Sequence, residues 1–428
     1  METPEAGSAE TGSAKTRKCY HRKCQWSGRR RILLPQGYPE SVSPDYARYQ
    51  CWDGLQALCS TMAASLSTRS VLEAVGVGDG AATVTGATLT WLLRDGVGIV
   101  TRILFVWLQG SHLDCEAKQW RFVADLLNDV ALVLEILAPY WLSLSPALLV
   151  MAAVARCVVG VAGGATRAAL AVHQARRDNV ADVAAKDGSQ ETLVNGAGLL
   201  LSLLLLPLLD GRPWLTWAAL ALLLAAHLGS NLAALGSLTL TALNRPRLRI
   251  AIGWALRGAG LKGRGAKLWN VEIPILSSCS DPPEVGTELG KNPQNPKFFG
   301  ILIFSLSLSP LPGWVGVGLH RGAPREASIL GCAQALLLEE LLGEDLGAGT
   351  PLGDLLGPLQ RRLKSCPPGA VPWGVLAETS RLFRDLGPAL LRGLEAAGWD
   401  TQRPLLAVDE WRLEWAEPGK KPENCSKK

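Results

Sequence analysis

The chain has 428 residues, of which 48% are hydrophobic and 19% are charged, and its 15 Trp outnumber its 5 Tyr and 6 Phe. Soluble domains carry about 25% charged residues, so this composition favours a membrane-associated protein. The net charge is +5, but the basic clusters lack the interleaved aromatic residues of a nucleic-acid surface, and we predict no nucleic acid partner. The ten cysteines are scattered, which argues against an extracellular disulfide scaffold.

Residues 1–32 form a polar, basic N-terminal tail that we predict to be disordered, because it contains few apolar residues. Cys19, His21 and Cys24 lie within this tail and suggest a zinc site. A structural zinc ion normally has four ligands, however, and no second ligand pair follows. We therefore predict no metal ion and no cofactor.

Residues 33–262 carry helical patterns with many small residues, which predicts a multi-helix core. Arg94 and Asp95 interrupt an apolar, glycine-containing stretch. Asp125 and Asp129 lie one turn apart on an amphipathic helical pattern. Two interpretations stay open for these acids: they lie inside a membrane, or they form the solvated face of a helix.

Residues 162–191 are dense in charge, with four basic side chains against four acidic ones. One interpretation is a loop between helices, held by exposed ion pairs worth about 0–1 kcal/mol each. The other is a polar cavity within a membrane bundle, where ionisable groups usually mark a substrate or proton path. Gly163 and Gly164 would then permit a broken helix or the close approach of a ligand. The residues of interest are Arg167, His173, Arg177 and Asp182.

Two apolar stretches follow this charged segment. The first begins at Thr192 and ends at Leu209 without a charged residue, and the second runs from Trp214 to Leu240. A helix needs about 20 apolar residues to cross a bilayer, so we predict a transmembrane helical hairpin. The basic residues between 245 and 267 would place both outer ends of the hairpin on the cytoplasmic side or its equivalent. We therefore expect the protein in an intracellular or organelle membrane.

The C-terminal part of the chain has a different composition. Proline, serine, asparagine and glycine dominate residues 263–325, which we predict to be a linker or an atypical insert. Residues 326–416 regain soluble patterning and predict a small α+β domain. We expect a helix at its start, a strand over VPWGVLAET, a helix closing at Gly398 and a second strand. Residues 417–428 are predicted to be a disordered tail.

No catalytic motif supports an enzymatic function. The sequence contains no Gly-x-Ser-x-Gly turn, phosphate-binding loop or His-Glu-x-x-His motif. An acid pair such as Asp125 and Asp129 is too common to indicate hydrolysis. Lys186, in the sequence AAKDG, is the one lysine that suggests a Schiff base, so a pyridoxal-phosphate enzyme is a third alternative. We predict a protein that is not an enzyme.

Five segments are specific enough to indicate a family: LPQGYPESVSPDY, RDGVGIVTRI, LDCEAKQWRFVADLLNDVALVLEILAP, GGATRAALAVHQARRDNVADVAAKDGSQETLVN and GLEAAGWDTQRPLLAVDEWRLEW. They closely resemble the root UVB-sensitive (RUS) family, and the chain looks like one of its animal members. The resemblance covers residues 33–262 and a stretch near the C-terminus, whereas residues 264–325 depart from the family pattern. It implies a mainly α fold, with a multi-helix membrane-associated core followed by a small C-terminal α+β domain. The resemblance also implies links to UV-B responses, auxin transport and pyridoxal-phosphate homeostasis, which are properties of plant relatives. It implies no established enzymatic activity.

Two functions remain as hypotheses. In the first, the chain is a non-enzymatic membrane protein that transports or senses a small polar metabolite. In the second, it is a membrane-anchored scaffold whose C-terminal domain binds a protein partner, either a member of the same family or another protein. The polar path of the first hypothesis would be lined by Arg94, Asp95, Asp125, Asp129, Arg167, His173, Arg177 and Asp182.

Overall fold

The chain divides into two compact units. The first comprises Met1–Gly110 and Ala117–Leu238, and the second comprises Ser111–Glu116 and Thr239–Lys428. The computed structural model describes residues 32–76, 84–256, 301–304, 316–320, 324–342, 351–366, 373–406 and 412–413.

Six long helices build the described part of the first unit. Each helix arises from a run of apolar and small residues, as expected for helices that pack closely, and turns separate the successive runs. Successive helices alternate in direction, which the contacts between their side chains establish. The helices are α1 (Tyr46–Ala74), α2 (Val84–Gln109), α3 (Ala117–Leu137), α4 (Ser145–Gln174), α5 (Val180–Leu209) and α6 (Pro213–Ser237).

Helix α1 occupies the centre of this unit, where it packs against α3, α5 and α6. Its small residues permit these close approaches, and Ala63 is fully buried. Ala63 and Leu66 form an apolar core with Leu132 of α3, Leu209 of α5 and Leu220 of α6. The other side of α1 is polar and contributes side chains to the site described below.

Helices α1 and α3 are parallel and aligned in a constant register. Three pairs of polar side chains join them, each pair separated by 68 positions in the sequence: Asp53 with Arg121, Ser60 with Asn128, and Ser67 with Glu135. Successive pairs are seven residues apart, which is the repeat that keeps two parallel helices facing each other in a coiled coil. The polar residues of α3 therefore face α1 along the whole contact.

Three helices of the described part of the chain are long and apolar enough to cross a membrane, by length and composition: α4, α5 and α6. Their most apolar stretches are only 22%, 17% and 33% buried inside the fold. In α5, Leu200, Leu203 and Leu204 are each about two-thirds exposed. Contiguous apolar surface of this kind is rare on soluble monomers and marks a face that contacts lipid or another protein.

Replacing Gly198 with Val is expected to destabilise the first unit by about 1–3 kcal/mol, the usual cost of overpacking. A Cβ atom at Gly198 would lie 3.0 Å from Thr61 Cβ and 3.1 Å from Thr61 Cγ2, because α1 and α5 approach closely there. Gly196→Val, two residues away, is the matched control, since a Cβ at Gly196 meets no atom within 4 Å. Thermal unfolding of the two purified variants checks this, and equal melting temperatures would contradict it.

The predicted hairpin corresponds to α5 and α6, which are joined at residues 210–212, but its limits differ from those predicted. Helix α5 begins at Val180, well before Thr192, because the charged residues that precede Thr192 continue the same helix. Helix α6 begins with Pro213 and Trp214 and ends at Ser237, so Leu240 lies beyond the helix and in the second unit. That the hairpin crosses a membrane stays a prediction.

Most of the charged segment at residues 162–191 is helical, so its interpretation as a loop is wrong. Only residues 175–179 connect α4 to α5. Helix α4 passes through Gly163 and Gly164 without a break. A glycine inside a helix costs about 1 kcal/mol relative to alanine, which a 30-residue packed helix tolerates.

The second unit is a smaller α+β structure around its own apolar core. Strand β1 pairs in parallel with β4, while β3 pairs antiparallel with β2 and in parallel with β5. Helix α8 is buried along almost its whole length, so it forms the centre of the core. The elements are β1 (Ala242–Asn244), α7 (Arg245–Leu256), β2 (Ile301–Phe304), β3 (Gly316–His320), α8 (Arg325–Leu342), α9 (Pro351–Lys364), α10 (Trp373–Ala396), β4 (Asp400–Leu405) and β5 (Arg412–Leu413).

The mainly α fold with a small C-terminal α+β domain is confirmed, but several details of the second unit were predicted wrongly. The sequence VPWGVLAET was expected to be a strand, yet most of it forms the start of α10, because a long helical pattern outweighs local strand propensity. The helix does close at Gly398, whose φ of +89° suits a glycine. Residues 263–325, expected to be a linker or insert, contain β2 and β3.

Three of the basic residues predicted to flank the hairpin make contacts inside the second unit. Arg245 and Arg249 both pair with Glu339 of α8. Arg247 is buried and donates to the carbonyl oxygen of Ala242 at 2.6 Å. These three arginines therefore stabilise the fold of the second unit. The predicted tails, apart from residue 32, and the group of Cys19, His21 and Cys24 lie outside the described residues.

Candidate functional site

A polar network lies in the interior of the first unit, between α1, α3 and α6. Its residues are four positions apart on α3 and on α6, so each helix presents them on one face. All of them are buried except Asp125, whose side chain is 13% exposed. The polar network comprises Asp53 and Gln56 of α1, Arg121, Asp125 and Asp129 of α3, and His227 and Asn231 of α6.

A buried ion pair joins α1 to α3. The Arg121 guanidinium donates to Asp53 Oδ1 at 2.8 Å, and the side chains are only 9% and 10% exposed. The hydroxyl group of Tyr49 also donates to Asp53 Oδ1, at 3.1 Å. A charge at this depth costs several kcal/mol unless it is paired, so Arg121 and Asp53 depend on each other.

Asp125 connects all three helices. Its Oδ2 atom accepts a hydrogen bond from Gln56 Nε2 of α1 at 2.6 Å and another from Asn231 Nδ2 of α6. Arg121 Nε lies 3.8 Å from the same oxygen. Burial raises the pKa of the Asp125 carboxyl, and the charge of Arg121 opposes this rise only in part.

Asp129 and His227 face each other one turn further along α3. Asp129 Oδ1 lies 2.8 Å from His227 Nδ1, and the His227 side chain is only 2% exposed. The two atoms are at hydrogen-bonding distance but are not aligned as a hydrogen bond, so both keep unused bonding capacity. His227 lies within α6, one of the helices apolar enough to cross a membrane.

Unused hydrogen-bonding capacity is concentrated in the seven residues of the polar network. Among the described residues, nine buried side-chain nitrogen or oxygen atoms make no hydrogen bond, and four of them belong to this network. Two are nitrogen atoms, Arg121 Nε and His227 Nδ1, and two are oxygen atoms, Asp129 Oδ1 and Asn231 Oδ1. Buried polar atoms without partners are costly, and such a cluster suits a site that binds a polar solute.

A second cluster continues the polar face of α3 around Glu135. Arg156 of α4 donates to Glu135 from Nε at 2.9 Å and from Nη2 at 2.5 Å. Arg94 of α2 donates at 3.3 Å, and Ser67 of α1 donates as well. Burial alone would raise the pKa of Glu135, but the hydrogen bonds and charge of Arg156 outweigh burial and lower it. From Arg121 to Glu135 the polar face extends about 21 Å, at about 1.5 Å per helical residue.

A third group joins α4 to α5 at the charged segment. Arg167 lies 3.4 Å from Asp187 and 2.7 Å from Glu191. Asp187 is buried and accepts a hydrogen bond from Gln50 of α1 at 3.0 Å. The Arg167 side chain is 40% exposed, so this group connects the polar interior to the surface of the unit.

The predicted polar path is therefore only partly assembled. Arg94, Asp125 and Asp129 contribute to the two interior clusters, and their interpretation as a solvated face is wrong for the two acids. Asp95 follows Arg94 on the same helix but points in a different direction, and its side chain is exposed. The expectation that Asp95 lines the path is therefore wrong. Arg167 lies at the margin.

The remaining predicted residues lie where α4 meets α5. His173 Nε2 is 3.0 Å from Asp45 Oδ2, in a separate buried pair beside the start of α1. Arg177 is exposed in the connection between the helices, so it does not line the path. Asp182 accepts a hydrogen bond from the backbone N–H of Gln36 at 2.6 Å, and therefore holds the N-terminal segment against α5.

Sequence reasoning missed five important members of the site: Asp53, Gln56, Arg121, His227 and Asn231. Two signals were present in the sequence. Polar residues recur every seven positions on α1 and again on α3, and the apolar stretch of α6 contains His227 and Asn231 although it lacks Asp, Glu, Lys and Arg. A histidine within an apolar helical stretch is a candidate site residue, just as a charged residue there is.

The chemistry available to the polar network is hydrogen bonding and proton exchange. It combines carboxylate acceptors, amide groups and a guanidinium donor, and a histidine can change charge near neutral pH. In the part of the chain that the structure describes, no group of three or more His, Cys, Asp and Glu side chains could hold a metal ion. Lys186, the predicted Schiff-base candidate, lies half-buried on α5.

Two family models match the chain. The model described as the vitamin B6 photo-protection and homoeostasis domain matches residues 21–257, which include the whole of the polar network. The model described as the root UVB sensitive protein C-terminal domain matches residues 303–415, which begin within β2. No solved structure matches the chain significantly.

Three relatives illustrate the similarity. "RUS family member 1" of Dictyostelium discoideum is 44% identical over 261 residues, and the chain spans half the length of that relative. "Protein root UVB sensitive 3" of Arabidopsis thaliana is 34% identical over 90% of this chain and 86% of its own length. "Protein root UVB sensitive 2, chloroplastic" of the same plant is 34% identical over 39% of this chain and 38% of its own length.

Proposed function

Because the chain belongs to the root UVB sensitive family, we propose that it is a membrane protein that moves a small polar metabolite by way of the polar network. The family model for its N-terminal part is described in terms of vitamin B6, so vitamin B6 compounds are the first metabolites to test. The role of the network is to bind the metabolite through hydrogen bonds and charge. This is a binding and transport function without a catalytic step.

One observation carries the proposal: ionisable side chains are buried inside a bundle whose outer helices are apolar. Asp129 and His227 are both buried, while leucines of α5 face outward. Ionisable residues inside apolar helical bundles are costly and usually line substrate or proton paths. Because the network also retains unpaired donors and acceptors, it has the chemical means to bind a polar solute.

Asp129→Asn is expected to lower the uptake of a vitamin B6 compound at least about tenfold, equivalent to about 1.4 kcal/mol of lost stabilisation. Purified full-length protein is reconstituted into liposomes, and uptake of radiolabelled pyridoxine, pyridoxal and pyridoxal 5′-phosphate is measured. Asp95→Asn is the matched control, because Asp95 is exposed and should keep wild-type uptake. Folding of each variant is checked by gel filtration and thermal unfolding.

Two results would contradict the proposal. Wild-type liposomes that take up none of the three compounds faster than protein-free liposomes would remove the support for vitamin B6 transport. Equal losses in Asp129→Asn and Asp95→Asn would show that the network has no special role. A broader panel of small polar metabolites then decides whether transport itself is wrong.

A scaffold function is the second candidate, and the independent core of the second unit favours it. The two functions differ in what they require of the first unit. When full-length Asp129→Asn is expressed in cells that lack the protein, it should fail to restore the wild-type phenotype if the protein acts as a transporter. The same variant should restore it fully if the protein acts through contacts of its second unit.

A further inference from the structure

The polar network contains more negative than positive charge. Arg121 is its one guanidinium and pairs with Asp53 and Asp125, while the third carboxylate, that of Asp129, lies beside His227. With every acid ionised and His227 neutral, the network therefore carries a net charge of −2. A buried excess charge is unfavourable, so the site gains stability when it takes up a positive charge.

His227 is placed to take up that charge. Its Nδ1 atom lies 2.8 Å from Asp129 Oδ1, and neither atom has another hydrogen-bond partner. The charged groups that face it are Asp129 and Asp125 of α3, with Arg121 on the same face and Asp53 of α1 behind Arg121. Asn231, one turn further along α6, contacts Asp125 rather than Asp129, which leaves the pair of Asp129 and His227 free to exchange a proton.

We propose that Asp129 and His227 form a proton-binding pair, and that proton uptake by this pair is coupled to movement of the metabolite. This inference rests on the proposed transport function and adds its driving force. A proton from one side of the membrane binds the imidazole, giving an imidazolium paired with the Asp129 carboxylate. Loss of the same proton to the other side restores the neutral imidazole, so the cycle consumes no other reactant.

The proton also changes what the site offers to the metabolite. With the proton bound, Asp129 is satisfied by the imidazolium and the network carries a net charge of −1. Without it, Asp129 Oδ1 and Asn231 Oδ1 are both available as acceptors for donor groups of the metabolite. The proton and the metabolite therefore compete for Asp129, as exchange of one for the other requires.

Protonation of the pair is tested first, without any metabolite. Full-length protein labelled with ¹⁵N-histidine is purified in detergent, and its imidazole signals are recorded between pH 5 and pH 8. We expect one signal, absent in His227→Gln, to titrate in this range and to titrate differently in Asp129→Asn. His173→Gln is the matched control, because it removes a buried histidine whose partner is Asp45 instead. A His227 signal that stays constant, or that is indifferent to Asp129→Asn, overturns the inference.

Coupling is tested with pyridoxine in liposomes whose membrane potential is clamped with potassium and valinomycin. A pH difference of one unit should change wild-type accumulation about tenfold for each coupled proton. His227→Gln should accumulate pyridoxine to the same level with and without the gradient, while His173→Gln should respond as the wild type does. Wild-type uptake that ignores the pH gradient, or that follows a sodium gradient instead, overturns the coupling and leaves the transport function standing. A wild type that moves no pyridoxine at all contradicts pyridoxine transport, and the coupling of pyridoxine to protons with it, whereas the histidine titration still decides proton binding.

Discussion

Replacing Arg121 with Met is expected to destabilise the first unit by about 3–5 kcal/mol, because it leaves the Asp53 carboxylate buried without its partner. The Tyr49 hydroxyl would remain as a hydrogen-bond donor to Asp53, but a neutral donor does not compensate a buried charge. The loss of stability is measured by thermal and denaturant unfolding of the purified protein in detergent. It should appear as a large decrease in melting temperature.

Arg69→Met is the matched control for this prediction. Arg69 also lies on a helix of the first unit and pairs with two acids, Glu73 and Asp210, but its side chain is 40% exposed. Exposed ion pairs contribute only about 0–1 kcal/mol, so this variant should unfold nearly as the wild type does. The double variant Asp53→Leu/Arg121→Met should recover most of the stability, since it removes both buried charges. Equal effects of Arg121→Met and Arg69→Met would refute the prediction.

Glu135→Gln is expected to cost about 3 kcal/mol, at the lower end for a broken buried pair. The substitution keeps the shape of the side chain but leaves Arg94 and Arg156 without a carboxylate. The cost is limited because the Arg156 side chain is 31% exposed and can reach water. Glu73→Gln, which weakens an exposed pair with Arg69, should cost less than about 1 kcal/mol.

The stability difference between wild type and Glu135→Gln should depend on pH in a defined direction. The pKa of Glu135 is lowered below its ordinary value of 4.5, so ionised Glu135 stabilises the folded state at neutral pH. That contribution is fully present above pH 4.5 and is lost as the pH falls through the lowered pKa. Unfolding free energies measured from pH 7 downward should therefore converge for the two proteins below pH 4.5. A difference that stays constant with pH would show that the cost of Glu135→Gln does not come from the charge of the Glu135 carboxylate.

Helix positions in the first unit could be predicted from the sequence because apolar and small residues form long, uninterrupted patterns. The pattern could not show which side of a helix faces the interior, and Arg94 and Asp95 illustrate the limit. Adjacent residues on a helix point about 100° apart, and only the position of Glu135 on a neighbouring helix directs Arg94 inward. Asp95, with the same local sequence, is exposed.

The missing members of the polar network have a different physical cause. The seven-residue spacing on α1 and α3 has meaning only when the two helices are known to be parallel neighbours, and a sequence does not state this. His227 and Asn231 were overlooked because the stretch around them contains no formal charge. The strands β2 and β3 were missed because they are four and five residues long and are supported by pairing rather than by a local pattern.

The position of α7 has a practical consequence for anyone who dissects this chain into fragments. Helix α7 belongs to the second unit, where its Leu248 and Ile252, together with Leu243 of β1, are buried in the same apolar core as α8. A fragment ending at residue 257, where the first family match ends, would carry these side chains without the surface that covers them. Such a fragment is expected to aggregate for reasons unrelated to the helices before it. A cut between Leu238 and Thr239 avoids this liability, because all the residues of that apolar core follow it, although it separates Ser111–Glu116 from the rest of the second unit.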